Sequence, residues 1–360
     1  KYKASVSGVN PYPNCLLCGV ELSGIIYSQK TNPTCCNILF GESQWKHYKK
    51  DKPEHVMVPS KEVEGADLAK FPSMWSCMGR AIIKGPTTKY FLSGITVIEN
   101  QTNDPYIIPK DPNIARIAGR TRNLQCDDGT FVQFYAATIK RQLSRFKGKN
   151  IGFVVHAHCW ALLNHIMSTT LVESKIEKFI RAARKYWRDH EAWSIVDYPL
   201  KSWKNGSIVV HPGFEYDCDI YKNPLIVPEV QKAIDSARKT KKKRMQSRYS
   251  PVPLEVAIMI AEWTCPIDYT MADVKNTRNM LSAWQWKLPD WFWNRRLKED
   301  IFIELKSLKK TNCSIDWQAL RLDLMGLLCD QEWYAFSGLP NRARILGFMT
   351  GIKSKFLEMA

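Results

Sequence analysis

Apolar residues recur along this chain in two rhythms. Between residues 75 and 155 they come in short runs, AIIKG, KYFLSGITVIEN, PYIIP and TFVQFYAATI, separated by Gly, Pro, Asn and Asp. Runs of that length between turn formers predict strands. IGFVVHAHCWALLNHI starts in the same rhythm and is expected to pass from strand to helix near His158. TLVESKIEKFIRAARKYW then switches to the helical period, with Ile176, Phe179, Ile180, Ala183 and Trp187 on one stripe. Arg181, Arg184, Lys185 and Arg188 fall on its wet side, and Thr170 and Glu173 have capping-box spacing. Residues 198–228 read as loops and short strands, broken by Pro and Gly.

After Pro251 the pattern is almost wholly helical. VPLEVAIMIAEW places Pro253 in a first turn, where its missing N–H costs nothing, and Glu255 near the positive end of the helix dipole. Val252, Val256, Ile260 and Trp263 recur at helical spacing. A second helix is expected from Thr270, where TMAD has capping-box spacing. A third follows Pro289, with Trp293, Leu297, Ile301, Leu305 and Leu308 on one face. A fourth carries Trp317, Leu320, Leu324, Leu327 and Leu328, and the last buries Ile345, Phe348, Ile352 and Phe356. The expected fold class is α+β. A cysteine-bearing N-terminal segment (1–70) precedes a β-rich α+β middle domain (71–235), a basic linker (236–250) and a helical C-terminal domain (251–360). No internal repeat is visible.

Composition changes this picture in two places. The formal charge of +17 and pI near 9.3 create a field that attracts nucleic acid, anionic membranes or acidic protein surfaces. The charge is densest at RKTKKKR, where Lys241, Lys242, Lys243 and Arg244 read as a nuclear-import signal, a nucleic-acid contact or a solvated linker. Eleven cysteines in 360 residues do not suit a small disulfide scaffold. They are read as reduced thiols of an intracellular protein of the cytoplasm or nucleus. No signal-peptide pattern is seen from Lys1 onward, and no apolar run approaches a membrane span, so a soluble protein is expected.

Candidate chemistry is sparse. Cys15-Leu-Leu-Cys18 can bring two thiolates from one turn to a tetrahedral ion, with Cys35 and Cys36, or one of them with His47 or His55, completing a structural zinc site. The alternative is a small knuckle without metal. His156-Ala-His158-Cys159-Trp160 could hold a metal or pair a thiol nucleophile with a base. Read as a strand end, it shows no further ligand or orienting group, and packing of Cys159 and Trp160 into a core is favoured. Asp127-Asp128-Gly129 is a turn, and Asp217 and Asp219 lack the rest of a calcium loop. No phosphate-binding, nucleophile-elbow or zinc-protease motif occurs, so a non-enzymatic protein is expected.

Val252-Pro253-Leu254-Glu255-Val256 resembles the Leu-Pro-x-Glu-Leu/Ile opening of an F-box, and Ile260 matches its next aliphatic position. VKNTRNMLSAW resembles its Leu-rich middle, and WFWNRRL its close, with Phe292, Trp293 and Leu297 in register. The order CLLCG, VHAHCWALL, VPLEVAIMIAEW, LPDWFWNRRL, DWQALRLDLMGLL, GLPNRARIL is similar to that of a group of filamentous-fungal F-box-like proteins. The resemblance implies a substrate receptor that docks a Skp-type adaptor of a cullin–RING ubiquitin ligase and presents a target protein. It places Pro253, Leu254, Glu255, Ile258, Trp293 and Leu297 in adaptor binding. On that basis Leu254 and Ile258 are expected to touch the partner, while Val256, Ile260 and Trp263 hold the domain together. The rival is a basic nucleic-acid-associated protein whose F-box-like part is purely structural.

Overall fold

The computed structural model describes residues 14–20, 22, 43–48, 55–65, 72–85, 89–97, 106–118, 129–134, 150–190, 220, 222–239, 252–297, 299–311 and 315–359. The architecture is α+β. The chain forms two compact units, Lys1–Leu225 with Asn341–Ala360, and Ile226–Pro340. These differ from the segments expected from sequence. The division falls before the basic run, and most of the last helix belongs with the first unit.

The first unit is built on a seven-stranded mixed sheet. Its strands are β1 (His55–Pro59), β2 (Met78–Lys84), β3 (Tyr90–Val97), β4 (Tyr106–Pro109), β5 (Ile114–Ala118), β6 (Gly129–Phe134) and β7 (Asn150–His156), in the order β1-β5-β3-β2-β7-β6-β4. β5 pairs parallel with β3 and β6 with β7; the other pairs are antiparallel. β1 and β5 lie outside the apolar runs that predict strands. HVMVP alternates half-buried and buried positions but lies among prolines, and IARIA carries an arginine at its centre that is buried. Gly94 of β3 is where the carbonyls of Ile114 and Asp111 approach the backbone so closely that a Cβ would collide with both.

A short α1 (Ser60–Glu64) follows β1. β7 runs straight into α2 (Ala157–Leu163). The expected single helix after it is two. α3 (Thr169–Ser174) starts from Ser168 with no side-chain cap, so the Thr170–Glu173 box does not form. The chain then breaks at Lys175 before α4 (Ile176–Asp189), which buries the predicted stripe together with Ala182 and Tyr186. Aromatic rings meet in the core, edge-on for Trp160 with Phe179 and Phe179 with Phe356, tilted for Trp187 with Phe348.

The second unit is helical. α5 (Pro228–Lys239) buries Val230, Ala233, Ile234 and Ala237. α6 (Leu254–Thr264) takes up LEVAIMIAEW of the expected helix and one residue more, with Pro253 as its N-cap and not in its first turn. α7 (Met271–Trp284) has the full capping box expected at Thr270, closed by Asp273. The third predicted helix is broken into α8 (Asp290–Asn294), a 3₁₀ turn at Glu299–Ile301 and α9 (Ile303–Lys310). α10 (Trp317–Cys329), α11 (Gln331–Phe336) and the first residues of α12 (Leu339–Glu358) complete the unit. Among the described residues no helix is long and apolar enough to cross a membrane.

Candidate metal centre and helical docking face

The sequence CLLCG makes a tight turn in the first unit. The Gly19 amide donates to the Cys15 carbonyl at 2.9 Å and the Cys15 amide to the Val20 carbonyl at 2.8 Å. Gly19 turns the chain with φ of 71°, a left-handed value that favours glycine. The turn lies against β7. β6 pairs with β7 only as far as Gly152, and beyond it the Val154 carbonyl accepts the Leu16 amide at 2.8 Å. Two further groups hold the turn from behind. Trp187 of α4 donates from Nε1 to the Leu16 carbonyl at 2.7 Å, and Arg344 of α12 donates to the Cys18 carbonyl at 3.0 Å.

This packing sets the two thiols against the junction of β7 and α2. Cys15, Cys18, His156 and Cys159 bring one ligand atom each to within 4.8 Å of one another, all four residues buried. Cys18 Sγ lies 3.3 Å and Cys159 Sγ 3.8 Å from His156 Nδ1. In a tetrahedral site with metal–sulfur bonds of about 2.3 Å, ligand atoms stand roughly 3.7 Å apart. The cluster could therefore hold a metal ion with little rearrangement. The amides of Leu17 and His156 both donate to Cys15 Sγ, at 3.4 and 3.3 Å.

Electrostatics separate the four groups. Burial pushes the Cys18 thiol up. Hydrogen bonds from Cys15 and Cys159 and the charge of His156 outweigh it and hold Cys18 well below the usual thiol range. Burial pushes His156 down, but the Cys18 and Cys15 sulfurs raise it to about 10. Burial, then hydrogen bonds with Cys15 and Cys18, push Cys159 well above the ordinary thiol value. Cys18 is thus the thiol that most favours ionisation and His156 the group that most favours a proton, and a divalent cation would compete with that proton.

The sequence offers Cys35, Cys36, His47 and His55 as partners of Cys15 and Cys18, whereas the cluster among the described residues joins them to His156 and Cys159. Cys35 and Cys36 lie outside the described residues, while His47 is exposed and His55 half-buried, neither within the cluster. Packing of Cys159 into the core was expected and is found, at 0% exposure, but Cys159 also joins His156 at the cluster. Strand alternation would put His156 and His158 on one side. The strand ends at His156 and α2 begins at Ala157, so His156 and Cys159 come together across the first helical turn. His158 turns to the core near Trp75, where burial and then the His156 charge lower it to about 3. An H-x-x-C at a strand-to-helix switch was the signal that could have found the pair.

The second unit carries a different feature. α6 was expected to turn Val256, Ile260 and Trp263 inward, and it does not. Ala257 and Ala261 are its buried residues, with Ile258 packed partly against the core. Val256 (42% exposed), Ile260 (40%) and Trp263 (89%) face outward with Met259, and Leu254 (51%) is exposed in the first turn. Two alanines one turn apart let α6 approach its core closely, and the bulkier apolar residues are left on the far side. Val256, Met259, Ile260, Trp263 and Thr264 line a shallow open groove there.

Of the other residues assigned to adaptor binding, Pro253 and Glu255 are exposed at the start of α6. Trp293 and Leu297 are 1% and 2% exposed and belong to the core of the unit, where Phe292 also lies. Lys241, Lys242, Lys243 and Arg244 lie outside the described residues. Comparison of the chain with protein-family models, curated proteins and solved structures finds no match.

Proposed function

We propose that this protein is a non-enzymatic, F-box-like substrate receptor. The second unit docks a Skp-type adaptor of a cullin–RING ubiquitin ligase, and the first unit presents a target protein. Ubiquitin transfer belongs to the partners. The reading gives the protein one cofactor, a structural zinc.

One observation carries the docking reading. α6 exposes Val256, Met259, Ile260 and Trp263 along one face that lines a shallow groove, with Leu254 exposed in its first turn, on a unit whose core is already closed by Ala257, Ala261, Phe292 and Trp293. Contiguous exposed apolar surface of this kind marks interaction sites. A short helix offering alternating-turn anchors is the helix-in-groove mode of recognition. The resemblance of VPLEVAIMIAEW to an F-box opening supplies the partner.

The test is binding of purified full-length protein to a purified Skp-type adaptor, measured at low and high salt. Trp263→Asp should abolish binding while the melting temperature is kept, since a central aromatic anchor contributes about 2–4 kcal/mol. Affinity should change little between the salt conditions. No binding by the parent protein sinks the proposal. Tight binding to nucleic acid that collapses steeply with salt would move the assignment to the nucleic-acid rival, since phosphate contacts release counterions.

A further inference from the structure

We infer that Cys15, Cys18, His156 and Cys159 are the four ligands of one closed zinc site, with His156 coordinating through Nδ1. The inference rests on the reading of a structural zinc and adds which residues bind it and how.

Three thiols and an imidazole drawn from two stretches of chain bring their ligand atoms within 4.8 Å of one another, all four residues buried. Three thiolates gathered in such a space would repel one another without a cation between them, and a bound divalent ion supplies that charge. Nδ1, not Nε2, is the nitrogen that faces the sulfurs. The ring is set by Trp75, whose centroid lies 4.6 Å from that of His156. Two backbone amides point at Cys15 Sγ, an arrangement that suits a metal-bound thiolate far better than a neutral thiol. The donor set selects the metal. Sulfur-rich tetrahedral sites with one imidazole suit zinc, whereas calcium and magnesium take oxygen. Four protein ligands fill the tetrahedron and leave no position for substrate, so the site is structural. Zinc with three thiolates and a neutral imidazole keeps a net negative charge. Arg344, 3% exposed and bonded to the Cys18 carbonyl, supplies buried positive charge beside it.

A zinc site here closes the fold. It joins the turn at Cys15–Cys18 to the β7–α2 junction, 138 residues away between Cys18 and His156. Trp187 and Arg344 hold the same turn from α4 and α12, so the ion sits where strand, turn and helices of the unit converge.

The experiment is zinc analysis and X-ray absorption on the full-length protein purified without added metal. We expect about one zinc per chain and a shell of three sulfurs at about 2.3 Å with one nitrogen at about 2.0 Å. His156→Cys should keep the zinc and turn the shell into four sulfurs, and Cys159→Ser should lose a sulfur or the metal. A folded, zinc-free protein overturns the zinc reading and this inference together. Zinc in a four-sulfur shell in the unmodified protein, kept in Cys159→Ser, overturns the ligand assignment alone and returns Cys35 and Cys36 to the site. The shell of the unmodified protein decides the matter even where a variant fails to fold.

Discussion

Gly351 carries no chemistry, yet its hydrogen is a packing requirement. The ring of Tyr186 from α4 lies against the α12 backbone there, and a Cβ would run into three of its carbons. Tyr186 is itself buried, between Trp187 and Phe348. The ring cannot swing away without disturbing both neighbours. Gly351→Ala should therefore destabilise the first unit by about 1–3 kcal/mol, the usual cost of overpacking, although alanine favours helix. Thermal or denaturant unfolding of the variant checks this, and an unchanged or raised midpoint would refute it. Single residues of this kind were not legible in the chain, because a glycine in a helix reads as a weakness until its neighbour is known. Cys15 and Cys18 were legible because both ligands sit in one turn. His156 and Cys159 were not, because their pairing depends on where β7 ends and α2 begins.

At the level of the element, α6 shows what periodicity can and cannot decide. Its presence and length were legible from VPLEVAIMIAEW, but its orientation was not. The helix is apolar nearly all round, so the spacing of Val256, Ile260 and Trp263 fits an inward or an outward face equally well. Size breaks the tie: Ala257 and Ala261 face the core because a close helix contact admits nothing larger. The two faces should respond oppositely to substitution. Val256→Ala and Ile260→Ala remove exposed methyl groups and should change stability by no more than about 0.5 kcal/mol. Ala261→Leu forces extra volume into a site with 0% exposure and should cost about 1–3 kcal/mol. Chemical denaturation of the three variants measures both. Large losses at Val256 and Ile260 with a tolerated Ala261→Leu would mean that the helix is turned the other way. α7 was read more fully, since the Thr270–Asp273 box is local and depends on no other element.

For the whole molecule, the division into units turns on polar residues that a linear pattern assigns to the surface. Asn341, Arg342 and Arg344 open α12 and are all buried. Asn341 donates to the carbonyls of Ile220 and Lys222, Arg342 to those of Pro224 and Leu225, and Arg344 to that of Cys18. Each satisfies a backbone group of the first unit, which is why the last helix completes that unit and not the helical one that precedes it. The α+β class was legible from the two apolar rhythms; this return of the chain was not, because arginine and asparagine in a helix ordinarily mean solvent. A chain ended after Pro340 therefore separates the two halves. It loses Phe348, Ile352 and Phe356 from the first core together with the Arg344 bond to the Cys15–Cys18 turn. The second unit, residues 226–340, keeps its core of Ala257, Ala261, Phe292, Trp293 and Leu320. Hydrogen exchange should show protection lost in β2, β7 and α4 while α6, α7 and α10 stay protected, because local stability follows the contacts each element keeps. The zinc proposed for the first unit should fall in the same preparation, and the adaptor binding proposed for α6 should remain. Loss of protection in α6 and α7 with protection of the sheet retained would show that the last helix stabilises the other unit, and the roles given to Asn341, Arg342 and Arg344 would be wrong.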